Sequence, residues 1–450
     1  MTAAAEPPKT ALSDQGQSSA RRVATWALWD WGTQPFNTVI TTFVFSVYLT
    51  SSAFGDTNTT SIAMSTAVAV SGVLIALMAP VLGQHADRSG TTVRDLRVLT
   101  WVLGVLSAAL YLVRPEPGYL WLGLALLGVG SIVSEIASVN YNATIEQVAT
   151  PKNVGRVSGI GWGMGYLGGI VVLLLLYFGF IKPEVGLFGV TSTDAVDIRV
   201  SMIVCGVWTL LFTIPPLVML RDRPVERRPG LGVVGSYKAL LATIGHLWRR
   251  DRPLVYFLLA SALFRDGLAG VFAYGGILAA GTFGFTAGGV IVFGAVANVT
   301  AGVSTMLFGL LDDRLGPRRV ILISLAFLVA LGIVIFVLHD GGAPVFWVAG
   351  LGMTLFVGPA QSASRSYLAR LIPEGNTGEV FGLYATTGRA ISFLSPVLFG
   401  AALLLGARIT GEENTQYWGI LGIVLILAAG FALMLVTGRG RTEETAPTER

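Results

Sequence analysis

Gly83-Gln-His-Ala-Asp87-Arg88-Ser-Gly90 is a short charged turn between two long apolar runs, and Arg94 and Arg97 follow it. A near copy returns 226 residues later as Gly309-Leu-Leu-Asp-Asp313-Arg314-Leu-Gly316, followed by Arg318 and Arg319. Glycine, aspartate, arginine and glycine keep the same relative positions in both copies. One charged turn per half, flanked each time by apolar segments, predicts two related halves in a membrane.

Composition points the same way. Charged residues make up 12% of the 450 residues, where a soluble chain has about 25%. Mean hydropathy is +0.70, and the 56 glycines suit helices that pack closely in a bilayer. The net charge of +4 is too small for a nucleic-acid partner. The single cysteine, Cys205, excludes an intramolecular disulfide and a cysteine metal site, and His85, His246 and His339 lie far apart. No cofactor or metal is expected.

A bilayer-spanning helix needs about 20 mostly apolar residues. That criterion finds twelve segments: 24–50, 61–83, 97–114, 118–141, 156–180 and 199–220, then 253–281, 286–311, 319–338, 344–364, 379–406 and 416–437. Residues 1–22 and 438–450 read as tails, 23–220 and 253–437 as two six-helix bundles, and 221–252 as a basic linker. Within the linker Val234, Tyr237, Leu240, Leu241, Ile244, Leu247 and Trp248 recur at helical spacing, as in a helix lying on the membrane surface. With the N-terminus inside, 23 of the 30 basic residues fall on the cytoplasmic side and four (Arg114, Lys182, Arg199, Arg408) on the other. Both termini are therefore expected in the cytoplasm. A second echo pairs Pro151 through Gly155-Arg156-Val-Ser-Gly159 with Pro373 through Gly378-Glu379-Val-Phe-Gly382. Parallel repeats of this kind set a solute site between the halves near mid-membrane.

Two groups of residues are candidates for the chemistry. The turns place Asp87 and Asp313 where a carboxylate can accept from the free N–H groups that open a neighbouring helix. Arg88 and Arg314 can pair with a carboxylate on the next span. With Gly83, Gly90, Gly309 and Gly316 they form an expected cytoplasmic gate. Charges within spans are the second group, since a charge at mid-bilayer costs about 3 kcal/mol. Asp30, Glu135, Arg265, Asp266 and Arg389, with Gln34 and Asn140 as hydrogen-bonding groups, are the expected substrate or proton site. The expected ion pairs are Asp266 with Arg389, and Asp30 with Arg156 or Arg365.

Twelve spans, the basic central loop and the paired Gly-x-x-x-Asp-Arg-x-Gly turns resemble the major facilitator superfamily. Trp29-Asp30-Trp31-Gly32-Thr-Gln34-Pro-Phe36 in the first span is similar to its vacuole-effluxer branch, the autophagy-linked vacuolar amino-acid exporters of fungi and their bacterial relatives. So are Phe264-Arg265-Asp266-Gly267 and Tyr274 to Phe285 in the seventh. Arg265 stands where that branch usually has asparagine. The resemblance implies an all-α, twelve-span fold and secondary active transport by alternating access, with efflux of a small polar solute such as an amino acid. Two other readings stay open: an exporter of hydrophobic drugs or lipids, and a non-transporting scaffold or sensor. The expected partners are a small-molecule substrate, the lipid bilayer and protons. The expected setting is a monomer in a bacterial cytoplasmic membrane, and no enzymatic activity is expected.

Overall fold

The computed structural model describes residues 19–55, 57–222, 234–238, 242, 245, 248, 249, 252–372, 377–412 and 414–437. Most of the tail at 1–22, most of the linker at 221–252 and the tail at 438–450 lie outside the described residues. The regular structure of the described residues is helical apart from one isolated bridge between Val185 and Thr191. In the first half the helices are α1 (Ala20–Pro35), α2 (Phe45–Leu49), α3 (Thr57–Ser89), α4 (Thr92–Ala109), α5 (Leu120–Ala143), α6 (Val154–Leu176) and α7 (Val196–Met219). In the second they are α8 (Arg252–Gly281), α9 (Ala287–Leu315), α10 (Pro317–Val337), α11 (Gly342–Leu371), α12 (Thr377–Ile391), α13 (Leu394–Thr410) and α14 (Gly419–Val436).

Eleven helical segments among the described residues are long and apolar enough to cross a bilayer. Their outward faces are apolar too: Trp121 is 72% exposed, and Val207, Leu211 and Leu404 are also exposed. Helices that are apolar all round and present such faces belong in lipid. The chain is a multi-pass membrane protein.

Residues 24–50, expected as one uninterrupted span, are interrupted. α1 ends at Pro35, a π-helical turn runs Phe36–Phe43, and α2 follows. Thr41 and Thr42 both donate their hydroxyls to the Asn37 carbonyl, at 2.7 and 2.8 Å. Side-chain bonds of this kind satisfy a carbonyl that the widened turn leaves open. The expected span 379–406 is also divided, because α12 and α13 meet at Ser392 and Phe393.

Glycines set the closest helix crossings. On α6, Gly155, Gly159 and Gly163 face α9: a Cβ on Gly159 would come within 2.7 Å of the Thr305 carbonyl, and one on Gly163 within 2.7 Å of the Gly302 carbonyl. The other α6 glycines face α1, where a Cβ on Gly168 would come within 2.8 Å of the Trp31 carbonyl. One apolar, glycine-rich helix thus packs against both halves of the chain. α3 meets α12 in the same manner, Gly83 lying against Gly378 and Gly382 against Ala79 and Pro80.

Each half also ties its own helix ends with an arginine. Arg97, in the first half of α4, donates to the carbonyls of Leu217, in the last turn of α7, and Leu220, just past it, at 2.8 and 2.9 Å. Arg318, opening α10, donates to Thr437 and Leu435 at the end of α14, at 2.9 and 3.0 Å. A guanidinium beside the free carbonyls of a helix C-terminus meets both their acceptors and their partial negative charge.

Candidate functional site

The charged turns face each other's half. Asp87, in the last turn of α3, accepts from the backbone N–H groups of Gly378 and Glu379 at 2.9 and 2.8 Å, at the start of α12. Asp313, in the last turn of α9, accepts from Gly155 and Arg156 at 2.8 and 3.1 Å, at the start of α6. The expected carboxylate-to-helix contact is therefore present, and the helix capped belongs to the opposite half each time. The first glycine of each turn has a packing reason. A Cβ on Gly83 would collide with the Gly378 carbonyl, and one on Gly309 would sit 2.9 Å from that of Gly155. The second glycine has a backbone reason: Gly90 and Gly316 take φ of +67° and +85°, which a side chain would strain.

The arginines differ from the expectation. Among the described residues Arg88 and Arg314 have no carboxylate partner. They end α3 and α9, where a positive charge suits the helix terminus and can remain in water. Other arginines make the ion pairs. Arg370 of α11 reaches Asp312 at 3.2 Å and Asp313 at 3.5 Å, and Arg156 lies 3.8 Å from Asp313. Asp312 is buried and accepts from the Ser366 hydroxyl. Gln84 donates to Glu379 at 3.2 Å, and Thr377 to Glu146 at 3.2 Å, adding polar ties between the halves. Sequence reading passed over Asp312, Arg370 and Ser366; the doubled Asp312-Asp313 was the available signal for the first.

Deeper in the bundle, Arg365 of α11 is buried and lies 3.6 Å from Asp30 of α1. It also donates to Ser158 Oγ at 2.9 Å, to the Ser158 carbonyl at 2.7 Å and to Asn142 Oδ1 at 3.1 Å. Tyr141 donates to Asp30 at 2.9 Å, and its ring stacks between Trp26 and Trp29 at 4.4 and 4.1 Å. Trp26 also lies under the Arg365 guanidinium at 5.1 Å. Of the two partners expected for Asp30, Arg365 is the one in place. Three helices of the first half, α1, α5 and α6, meet on this arginine of the second, so a buried charge is surrounded by acceptors rather than by hydrocarbon.

Nearer mid-span, Arg389 of α12 bonds Glu135 of α5 at 2.6 Å. This replaces the expected Asp266–Arg389 pair. Asp266 instead accepts from the Ser395 N–H at 2.7 Å, capping α13 where the helix is interrupted. Arg265, next to it on α8, donates to the Tyr384 carbonyl at 2.9 Å and lies over that ring at 3.9 Å. Glu135 and Arg389 border a cavity of 300 Å³ shared with Asn37, Thr41, Ser71 and Ser131. A second cavity, of 340 Å³, is apolar and lined mainly by α8, α9, α11 and α14, including Phe272, Phe293 and Met353.

Two candidates stand apart. Gln34 lies against the α6 glycines, its Cγ 2.9 Å from where a Cβ on Gly169 would be. Asn140 is buried and donates to the Ile136 carbonyl one turn back at 3.0 Å. Neither lines the polar cavity.

This arrangement, with polar ties between halves at one end and a charged cavity between them, defines a transporter of the major facilitator type. Its fold resembles that of the major facilitator proton:xylose symporter XylE bound to 6-bromo-6-deoxy-D-glucose, with a TM-score of 0.70 over 92% of this chain and 94% of that one, at 14% identity. Residues 46–445 match the family described as "Vacuole effluxer Atg22 like", and the chain belongs to that family. It is 26% identical to the uncharacterized MFS-type transporter YxiO of Bacillus subtilis over 91% of this chain and 93% of that protein. It is also 26% identical to autophagy-related protein 22 of Yarrowia lipolytica, over 70% of this chain but only 55% of that longer protein. Fold and family make it a secondary transporter of the alternating-access type and not an enzyme.

Proposed function

We propose that the chain exports a small polar organic solute across a bacterial cytoplasmic membrane. The solute moves through a site between two six-span bundles, residues 23–220 and 253–437, joined by the basic linker 221–252. Both termini, and with them the charged turns, face the cytoplasm, a reading that the distribution of basic residues supports. The first of the twelve spans is the interrupted one, α1 to α2, and the other eleven are the long apolar helical segments. The observation that carries the reading is the reciprocal capping by Asp87 and Asp313. Each half's turn holds a helix start of the other, so these bonds form when the cytoplasmic end is shut and break together when it opens. The state described is therefore the one closed to the cytoplasm.

The solute site centres on Glu135, Arg389 and Arg265, with Asp30 and Arg365 on its cytoplasmic side. Glu135 and Asp30 are the carboxylates placed to exchange a proton for a bond to arginine, which gives proton coupling a structural route. The test is counterflow in proteoliposomes with amino acids, carboxylates and sugars as solutes. Wild-type protein should accumulate at least one tracer, and Glu135→Gln and Asp30→Asn should lose the dependence of that flux on a proton gradient. Unaltered coupling in both variants would remove the proposed proton role; no counterflow of any solute by folded wild type would remove the transport role.

A further inference from the structure

The hydrogen-bonding groups of the polar cavity narrow the solute. We propose that it is an uncharged polyhydroxylated molecule of five or six carbons, a polyol or small sugar, held in the cavity that Glu135 and Arg389 border. This rests on the transport reading above.

Charge is the first argument. Among the described residues Glu135 and Arg389 are the charged side chains that line this cavity, and they bond each other at 2.6 Å. Arg265 and Asp266 are neighbours of opposite sign on α8 and line neither cavity. The mid-span charges therefore balance without a solute. A solute with net charge would carry an uncompensated charge to this depth, which is costly, and an uncharged one carries none. The ion pair also keeps spare capacity. It uses one oxygen of Glu135, Oε2, and one nitrogen of Arg389, Nη2, and the two side chains are 22% and 37% exposed. A neutral hydroxyl can donate to the carboxylate or accept from the guanidinium without parting them.

The placement of acceptors is the second argument. Thr41, Ser71 and Ser131 each donate their hydroxyl proton to a carbonyl one turn back, to Asn37, Ala67 and Leu127 at 2.7, 2.7 and 2.8 Å. A hydroxyl committed in this way can only accept further bonds. The three oxygens come from the π-helical turn, α3 and α5, so acceptors line the cavity from three elements. On α5, Ser131, Ser134 and Glu135 are spaced to share one face. The Asn37 side chain is exposed and makes no hydrogen bond among the described residues, so its amide adds donors beside those of Arg389. Several separate O–H groups on one small frame match this set. The ammonium of an amino acid gathers its donors at a single nitrogen and cannot serve acceptors on three elements. Size agrees as well, because 300 Å³ lies at the small end of the about 300–1,000 Å³ found for ligand pockets.

Probes of similar size and different charge test this on the purified full chain: xylitol, myo-inositol and D-glucose as neutral solutes, against D-glucosamine, D-gluconate and the zwitterion L-glutamine. Binding is read by calorimetry and by ligand-dependent thermal shift. The expected result is saturable binding of at least one neutral solute at a concentration at least tenfold below that of the three charged probes. Thr41→Val and Ser131→Ala, which each remove an acceptor, should weaken it at least threefold. Glu135→Gln should move the preference toward D-gluconate and Arg389→Gln toward D-glucosamine, each by at least fivefold relative to D-glucose, a shift that a purely structural ion pair would not produce. Binding of L-glutamine as tight as that of the best polyol, no saturable binding of any polyol, or wild-type polyol binding in both Thr41→Val and Ser131→Ala would overturn the inference. Counterflow separates the two levels. Flux of another solute without polyol binding removes this assignment and leaves transport standing, whereas polyol binding without any counterflow keeps the site and removes the transport reading.

Discussion

Replacing Asp87 by alanine removes both bonds that hold the start of α12, the N–H groups of Gly378 and Glu379 at 2.9 and 2.8 Å. Hydrogen bonds to a charged group contribute about 1.5–3 kcal/mol each, and a carboxylate at a helix N-terminus adds about 0.3–1 kcal/mol. Water satisfies the freed N–H groups once this end opens, so the loss falls mainly on the closed state. A net shift of about 3 kcal/mol changes the ratio of closed to open molecules by more than ~100-fold. Cysteine labelling reads that ratio. Ala79 is buried on α3, and its carbonyl lies where a Cβ on Gly382 would come within 2.7 Å. A cysteine introduced by Ala79→Cys is therefore covered by α12 until the halves part, while the native Cys205 is buried and gives little background. Asp87→Ala should raise the labelling rate at position 79 by one to two orders of magnitude. Asp87→Asn, which keeps one acceptor oxygen and loses the charge, should fall between. A rate in Asp87→Ala within threefold of the parent would refute the assignment of this contact as a clasp.

Two further perturbations use other parts of the structure. Glu135→Arg and Arg389→Glu should each lower the thermal midpoint by leaving like charges in contact, at a cost of about 1–3 kcal/mol because both side chains are partly open to the cavity. The double exchange should recover much of the loss, and failure to do so would mean that the pair is not a direct contact. Gly316→Ala places a side chain at φ +85° and should destabilise by about 1–2 kcal/mol, a loss that Gly294→Ala, in open space within a helix, should not reproduce; equal midpoints would contradict the strain at the turn.

The turns Gly83 to Gly90 and Gly309 to Gly316 were legible in sequence because they are duplicated, charged and set between apolar runs. The membrane setting was equally legible, since hydropathy is summed over about 20 residues and tolerates errors at individual positions. Charge type also predicted that Asp87 and Asp313 would cap helices. Which helices they cap was not legible, because α6 and α12 come beside those turns only when the two halves dock. The same limit explains the ion pairs. Asp266 was the partner expected for Arg389, and the interruption at Ser392 and Phe393 overturns that by presenting the Ser395 N–H to Asp266, while Arg389 bonds Glu135. Arg370 and Asp312 were passed over in sequence, because only packing brings them within 3.2 Å of each other. Local periodicity and composition therefore determined that the chain spans a membrane and where its charged turns lie. Pairing of charges across more than a hundred residues was decided by tertiary structure alone, because only packing fixes which helix faces meet and which buried charges must be satisfied.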